Sequence, residues 1–177
     1  GATYNVELNG DLKNVSSHLP SPLAKPAGEP LAVNVKVDGN LNSFELTGQA
    51  GADNHFNSRW LLGQKLTLDR AIWAADSKTL PPLPEQSGVE LNMPPMNGAE
   101  WLALFQKGAA ESVGGAASFP QHITLRTPML SLGNQQWNNL SIVSQPTANG
   151  TLVEAQGREI NATLAMRNNA PWLANIK

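Results

Sequence analysis

Three histidines, His18, His55 and His122, and the carboxylates Glu45, Glu90, Glu100 and Glu154 are the residues whose types could do acid–base or metal chemistry. A metal site from them would have to be assembled by tertiary proximity. There is no HxH or HExxH spacing, and the chain has no cysteine to supply a thiolate or a disulfide. Asp53 and His55 are neighbours at the start of a predicted loop, where a solvated turn accounts for both. Hydrolysis by paired carboxylates needs two groups about 5–10 Å apart in a cleft, whereas these four fall on predicted polar strand faces or at a helix cap. GxSxG, P-loop and GxGxxG motifs are missing, so acyl-enzyme, nucleotide and dinucleotide chemistry have no anchor. The expectation is a non-enzymatic chain with no catalytic, cofactor-binding or metal residues.

Binding chemistry has somewhat better material. Trp60, Trp73, Trp101, Trp137 and Trp172 are candidate stacking platforms for sugars, although tryptophans serve more often as core or rim anchors. N-x-S/T triplets begin at Asn14, Asn139, Asn149 and Asn161, a number that an Asn-rich chain produces by chance. A net charge of −2, with 12 Lys and Arg residues scattered singly, makes no basic stripe and argues against nucleic acid. No apolar run reaches the roughly 18–20 residues of a membrane-spanning helix.

The elements that must position any site are mostly strands. Tyr4, Val6 and Leu8 alternate with Asn5, Glu7 and Asn9, and Leu31, Val33, Val35 and Val37 alternate with Asn34, Lys36 and Asp38. Asp38-Gly39 signals a hairpin that turns back at Asn40. Phe44 and Leu46, then Phe56, Trp60 and Leu62, continue the apolar stripe, which makes four antiparallel strands. Between Lys65 and Ala75, Arg70 falls in line with Leu66, Leu68 and Ile72, so either a bulge resets the register there, the favoured reading, or the arginine points along an edge.

Two stretches break the strand pattern. Leu12, Val15 and Leu19 have helical spacing ahead of Pro20, Pro22, Pro26 and Pro30, so residues 12–30 are expected to be a short helical insert with a rigid return. Asn97 followed by Glu100 resembles a capping box for a helix near 98–107 that presents Trp101, Leu102, Leu104 and Phe105. Residues 108–119 lack periodicity and read as a flexible linker. The chain thus divides into a first strand block (1–107), the linker and a second block (120–177). It begins at Gly1 without a methionine and ends on an unfinished pattern, which suggests one slice of a longer protein.

The candidate site is the stripe itself: Val33, Val35, Val37, Phe44, Leu46, Phe56, Trp60, Val89, Leu91, Ile123, Leu125, Leu140, Ile142 and Leu164. One short helix cannot cover so much apolar surface. Two architectures can accommodate it. In a closed β-sandwich two such faces bury each other, which would suit a soluble carbohydrate- or protein-binding module. In a curled, antiparallel-rich sheet the face stays open as an apolar groove, a half-pipe with one or two short helices.

The segment LPSPLAKPAGEPL, the LPPLPEQSGVELNMP stretch, the short Trp101 helix and the terminal GREINATL, in that order along the whole chain, resemble AsmA-like envelope proteins of Gram-negative bacteria, nearest to their large members. The resemblance implies an elongated β groove that carries phospholipid between the inner and outer membranes, without catalysis. It implies a periplasmic location for a parent protein anchored in the inner membrane, with adjacent segments of the same parent chain as neighbours. An exposed greasy face on the order of several hundred Å² would also encourage an isolated slice to self-associate.

Overall fold

The computed structural model describes residues 1–18, 25–101, 117–118 and 120–177. Among them are thirteen strands: β1 (Thr3–Asp11), β2 (Ala32–Asn40), β3 (Ser43–Ala50), β4 (Asn54–Leu62), β5 (Leu66–Ala74), β6 (Gly88–Asn92), β7 (Met96–Asn97), β8 (Ala117–Ser118), β9 (Ile123–Leu132), β10 (Gln135–Thr147), β11 (Gly150–Gln156), β12 (Asn161–Arg167) and β13 (Leu173–Ile176). All belong to one sheet in the order β1-β2-β3-β4-β5-β6-β9-β10-β11-β12-β13, with β7 pairing β9 and β8 pairing β5. Neighbours from β1 to β5 and from β9 to β13 are antiparallel. The joints β5–β6, β6–β9, β5–β8 and β7–β9 are parallel.

The first and last strands of this path do not meet, so the sheet is open and mixed. Contacts of substance between strands run only between hydrogen-bonded neighbours. The closed sandwich is therefore not what forms. A sandwich would stack the two strand blocks face to face, whereas the parallel ladder through β6 joins them edge to edge. Burial is correspondingly shallow, and the best-buried apolar residues, Leu68, Ile72, Ala74, Met93, Met96 and Leu140, gather on and beside the central strands.

The bulge predicted beside Arg70 is present. Arg59 pairs with Arg70 and Trp60 with Leu68, so Asp69 is the extra residue, and Arg70 and Ile72 turn to the face opposite Leu66 and Leu68. Arg70 then donates to the carbonyls of Pro84 (3.2 Å) and Glu85 (2.9 Å). Asn57 Nδ2 donates to Pro81 O (3.1 Å) and Ser87 Oγ to Asp69 O (2.9 Å), which ties the proline-rich connection 75–87 to that same face. His55, expected in a solvated turn, belongs to this arrangement instead. It lies on β4, is buried, and places Nδ1 2.8 Å from Ser77 O.

Three local expectations shift. The β2–β3 turn falls at Leu41–Asn42, where Asn40 Oδ1 accepts from the N–H groups of Asn42 (2.8 Å) and Ser43 (3.0 Å). Gly39 stays in the strand, paired with Tyr4, where a Cβ would stand 2.6 Å from Phe44 Cβ and 2.8 Å from Tyr4 Oη. In the insert, the described residues form turns at 13–14 and 27–28 and a Ser17–Lys25 bridge instead of a helix. The Leu12 N–H bonds Leu31 O (2.9 Å) and extends the β1–β2 ladder, and Ser17 N–H, which a helix would give to Lys13 O, bonds Lys25 O (2.8 Å) while Lys13 O accepts from Gly28 N–H (2.6 Å). Leu19 to Ala24 lie outside the described residues.

Asn97 does cap a helical start at 98–101, its Oδ1 accepting from the N–H of Ala99 at 3.1 Å. The rest of the expected helix lies outside the described residues. So does most of the expected linker, but Ala117–Ser118 at its end pair with Leu66–Thr67 as a strand.

Candidate functional site

Residues directly opposite each other in a ladder share a face, so the registers can be followed across the sheet. Leu8 faces Val35, Val37 faces Leu46, and Phe44 faces Trp60. Phe56 faces Trp73, Trp73 faces Leu91, and Leu91 faces Leu125. Leu125 faces Ile142, Ile142 faces Ala155, and Val153 faces Leu164. The fourteen stripe residues thus lie on one continuous face crossing eleven strands. With ten spacings of about 4.8 Å, this path is on the order of 50 Å across.

These side chains are half-buried, apart from two. Ile123 is 38% exposed, and Leu140 is only 3% exposed because it packs beside Gly157, where a Cβ would stand 3.3 Å from Leu140 Cδ1. Towards both edges the face becomes more open: on β1, Tyr4, Val6 and Leu8 are exposed, and on β13, Ile176 is 71% exposed.

Cross-strand aromatic pairs pave the part of the face over β3–β5. Phe44 and Trp60 stack with ring centres 6.1 Å apart and planes 10° apart, and Phe56 and Trp73 stack at 5.8 Å and 6°. Such pairs add about 0.5–1.5 kcal/mol each beyond area burial. The Phe56 ring lies over Gly48, its register partner, in the space a Cβ would occupy. Ser58, on the same face, donates to Leu46 O (2.9 Å) and accepts from Trp60 Nε1 (3.0 Å).

Over β9 and β10 the face has a fold of its own. Apolar residues on β9 change phase between Leu125 and Leu130, near Pro128 and opposite Asn139, whose φ of 51° is left-handed. Leu130 and Leu132 consequently line the same cavity as Leu125 and Ile142. Met96, Gly98 and Trp101 close its other side, and its volume is about 210 Å³. A Cβ on Gly98 would stand 2.9 Å from Ser131 O, so this segment sits close against β9.

The opposite face is polar. It carries Glu7, Asn34, Lys36, Glu45, Arg59, Glu90 and Arg126, with Arg126 and Glu90 3.6 Å apart. Among the described residues no three of His, Asp and Glu gather where a metal ion could bind, and no helix is long and apolar enough to cross a membrane. Glu45, Glu90, Glu100 and Glu154 lie on four different elements, and none of the three histidines pairs with another.

The stripe omitted residues that the registers add: Leu8 on β1, Leu68 and Trp73 on β5, Val153 and Ala155 on β11, and Ala162 on β12. The bulge at Asp69 hid β5 by breaking its alternation. On β11, Leu152 points to the polar face beside Val153, so no clean period was visible there.

Residues 1–177 match the family model described as YhdP protein. Over 177 residues the chain is 99% identical to the intermembrane phospholipid transporter YhdP of Escherichia coli (strain K12), a match that covers 100% of this chain and 14% of that protein. The chain therefore spans 14% of the length of the curated relative it matches. No solved structure matches it.

Proposed function

The chain belongs to the YhdP family, and from that premise we propose that it is one slice of a bridge-like phospholipid conduit between the inner and outer membranes. Acyl chains lie on the apolar face, and headgroups stay at its watery rim. The parent protein is held in the inner membrane, this slice stands in the periplasm, and adjoining segments of the same parent chain continue the track. No catalytic step is involved.

The observation that carries the reading is the continuity of the apolar face from Leu8 to Leu164, over which no other strand of the described residues is stacked. Moving a lipid tail through water costs about 0.8 kcal/mol per CH₂, on the order of 10 kcal/mol for a long chain. A track that is apolar at every strand removes most of that barrier. It does so without a tight site that would stop the lipid.

The test uses the full-length E. coli relative. Val35→Glu, on the apolar face, is expected to abolish most lipid transfer at matched levels of folded protein, and Lys36→Glu, on the polar face, to leave it near the parental rate. Equal effects of the two would sink the assignment of the face.

A further inference from the structure

The polar face has two hollows side by side, and their charges are opposite. One, of about 390 Å³, is bordered by Arg126 with Asn92, Asn139 and Ser141, and no carboxylate stands among the described residues that line it. The other, of about 260 Å³, is bordered by Glu85, Glu90, His122 and Thr124, and no lysine or arginine stands among the described residues that line it. We propose that the two together bind a short zwitterionic peptide, a dipeptide with free ends, its carboxylate on Arg126 and its ammonium between Glu85, Glu90 and Thr124. The site lies on the face opposite the apolar track and does not depend on the phospholipid reading.

The sequence opens the first hollow. Pro128 has no N–H to give the β9–β10 ladder, and Asn139 opposite it is of a residue type that accepts a left-handed backbone, here with a φ of 51°. The register passes from Asn138–Met129 to Leu140–Thr127 and leaves Pro128 and Asn139 out of the ladder. Parallel pairing then sets Glu90 beside Thr124 and Asn92 beside Arg126. From Glu90 to Asn92, and from Thr124 to Arg126, is a two-residue step along a strand, about 7 Å. An extended dipeptide has the same reach, so one end meets each hollow.

The groups in place are free to bind. Arg126 stands 3.6 Å from Glu90, too far for a hydrogen bond, and its guanidinium makes none among the described residues. An exposed ion pair of this kind contributes little, so a ligand that gives each partner a better one meets small resistance. The side chains of Asn92, Asn139 and Ser141 also have no hydrogen bond among the described residues and can serve a peptide's N–H and C=O groups. Thr124 is the sharpest sign of a ligand. It is 7% exposed and lines the second hollow, yet its hydroxyl has no partner among the described residues. A hydroxyl buried without a partner is costly, and a ligand ammonium would donate to it.

The test titrates dialanine into the purified full-length E. coli relative and reads binding by saturation-transfer NMR. Dialanine is expected to bind, and N-acetyl-dialanine and dialanine amide about ten-fold more weakly, the factor for one lost charge-assisted hydrogen bond. Arg126→Gln is expected to weaken dialanine by a similar factor and to leave the amide, which has no carboxylate, unchanged. Glu90→Gln and Thr124→Val are expected to weaken dialanine and to leave the acetylated form, which has no ammonium, unchanged. Lipid transfer at the parental rate verifies that each variant is folded, and the blocked peptides on the unaltered protein decide the question where one is not. Failure of dialanine to bind, equal binding of free and blocked peptides, or affinities that none of the substitutions moves would overturn the site. A single alanine that binds as tightly would overturn the two-residue span. Inorganic phosphate or phosphoethanolamine that displaces dialanine at lower concentration would overturn the peptide in favour of a phosphate ligand.

Discussion

The two connections that interrupt the antiparallel order lie on opposite faces of the sheet. The connection 75–87 crosses the polar face, and its backbone carbonyls are held by side chains of β4 and β5: His55, Asn57 and Arg70. Beneath it Ile72 and Ala74 are each 6% exposed. The segment from Met96 to Trp101 lies over the apolar face and, among the described residues, borders an open cavity with Leu125, Leu130 and Ile142. One connection thickens the wall where polar groups can tie it down. The other leaves room where only dispersion is available. A sheet with a single connection of the first kind would have a back but no roof.

This contrast breaks most visibly under charge. Ile72→Asp is expected to cost about 3 kcal/mol or more, because the carboxylate would be buried beneath the rear connection and stand opposite Glu90 on the neighbouring strand. Val37→Asp, on the uncovered face, should cost well under that. Urea denaturation of both variants checks the pair, and equal losses would mean that the apolar face is packed in solution.

Gly98→Val addresses the front connection alone. Its Cβ would press on Ser131 O, so a loss of about 1–3 kcal/mol is expected, with faster hydrogen exchange at Met96 and Asn97 and no change at β1–β4. For the rear connection, Arg70→Ala is expected to cost about 1 kcal/mol, since the side chain is partly exposed and its two carbonyl partners become free to bond water. Limited proteolysis should then find new cleavage near Pro84–Ser87 while β6 stays protected.

The smallest effect lies away from both connections. The side-chain amide of Asn138, then its backbone N–H, donate to Glu159 at 2.8 Å each and hold that carboxyl below the usual carboxylate range. A lowered folded pKa means that the contribution to stability is present above the ordinary carboxylate pKa and is lost as pH falls through the lowered one. Glu159→Gln should flatten that acid limb slightly and leave neutral stability nearly unchanged, as measured by denaturation across pH.

Much of this architecture could be read from the residues. Two-residue alternation put the fourteen stripe residues on one face, and the misplaced Arg70 announced the bulge. Asn97 announced the helix cap. What alternation cannot encode is which strand lies beside which, so the parallel lane β5–β6–β9, which decides between an open sheet and a sandwich, was invisible. The two-residue strands β7 and β8 are shorter than any period. His55 looked solvated because its partner, Ser77 O, arrives from a connection with no pattern of its own. Leu12 and Val15 had helical spacing, but spacing could not foresee that Ser17 N–H and Lys13 O, a helical pair, bond Lys25 and Gly28 across the insert instead. The cavity was hidden for a related reason: Leu125 and Leu130 are an odd number of residues apart, and both line it only because the strand pair changes phase near Pro128 and the left-handed Asn139.

Ser58 has a consequence for motion. Its hydroxyl donates to a backbone carbonyl and accepts from an indole, so both bonding capacities are engaged inside the sheet. Around it the aromatic rings pair in parallel across the strands, and the Phe56 ring is spread over Gly48. A hydrocarbon chain displaced along β3–β5 therefore meets ripples set by ring edges, with no hydrogen bond to break between one position and the next. In tribological terms this stretch is a low-friction bearing: drag there comes from contact area, and no detent fixes a stopping place.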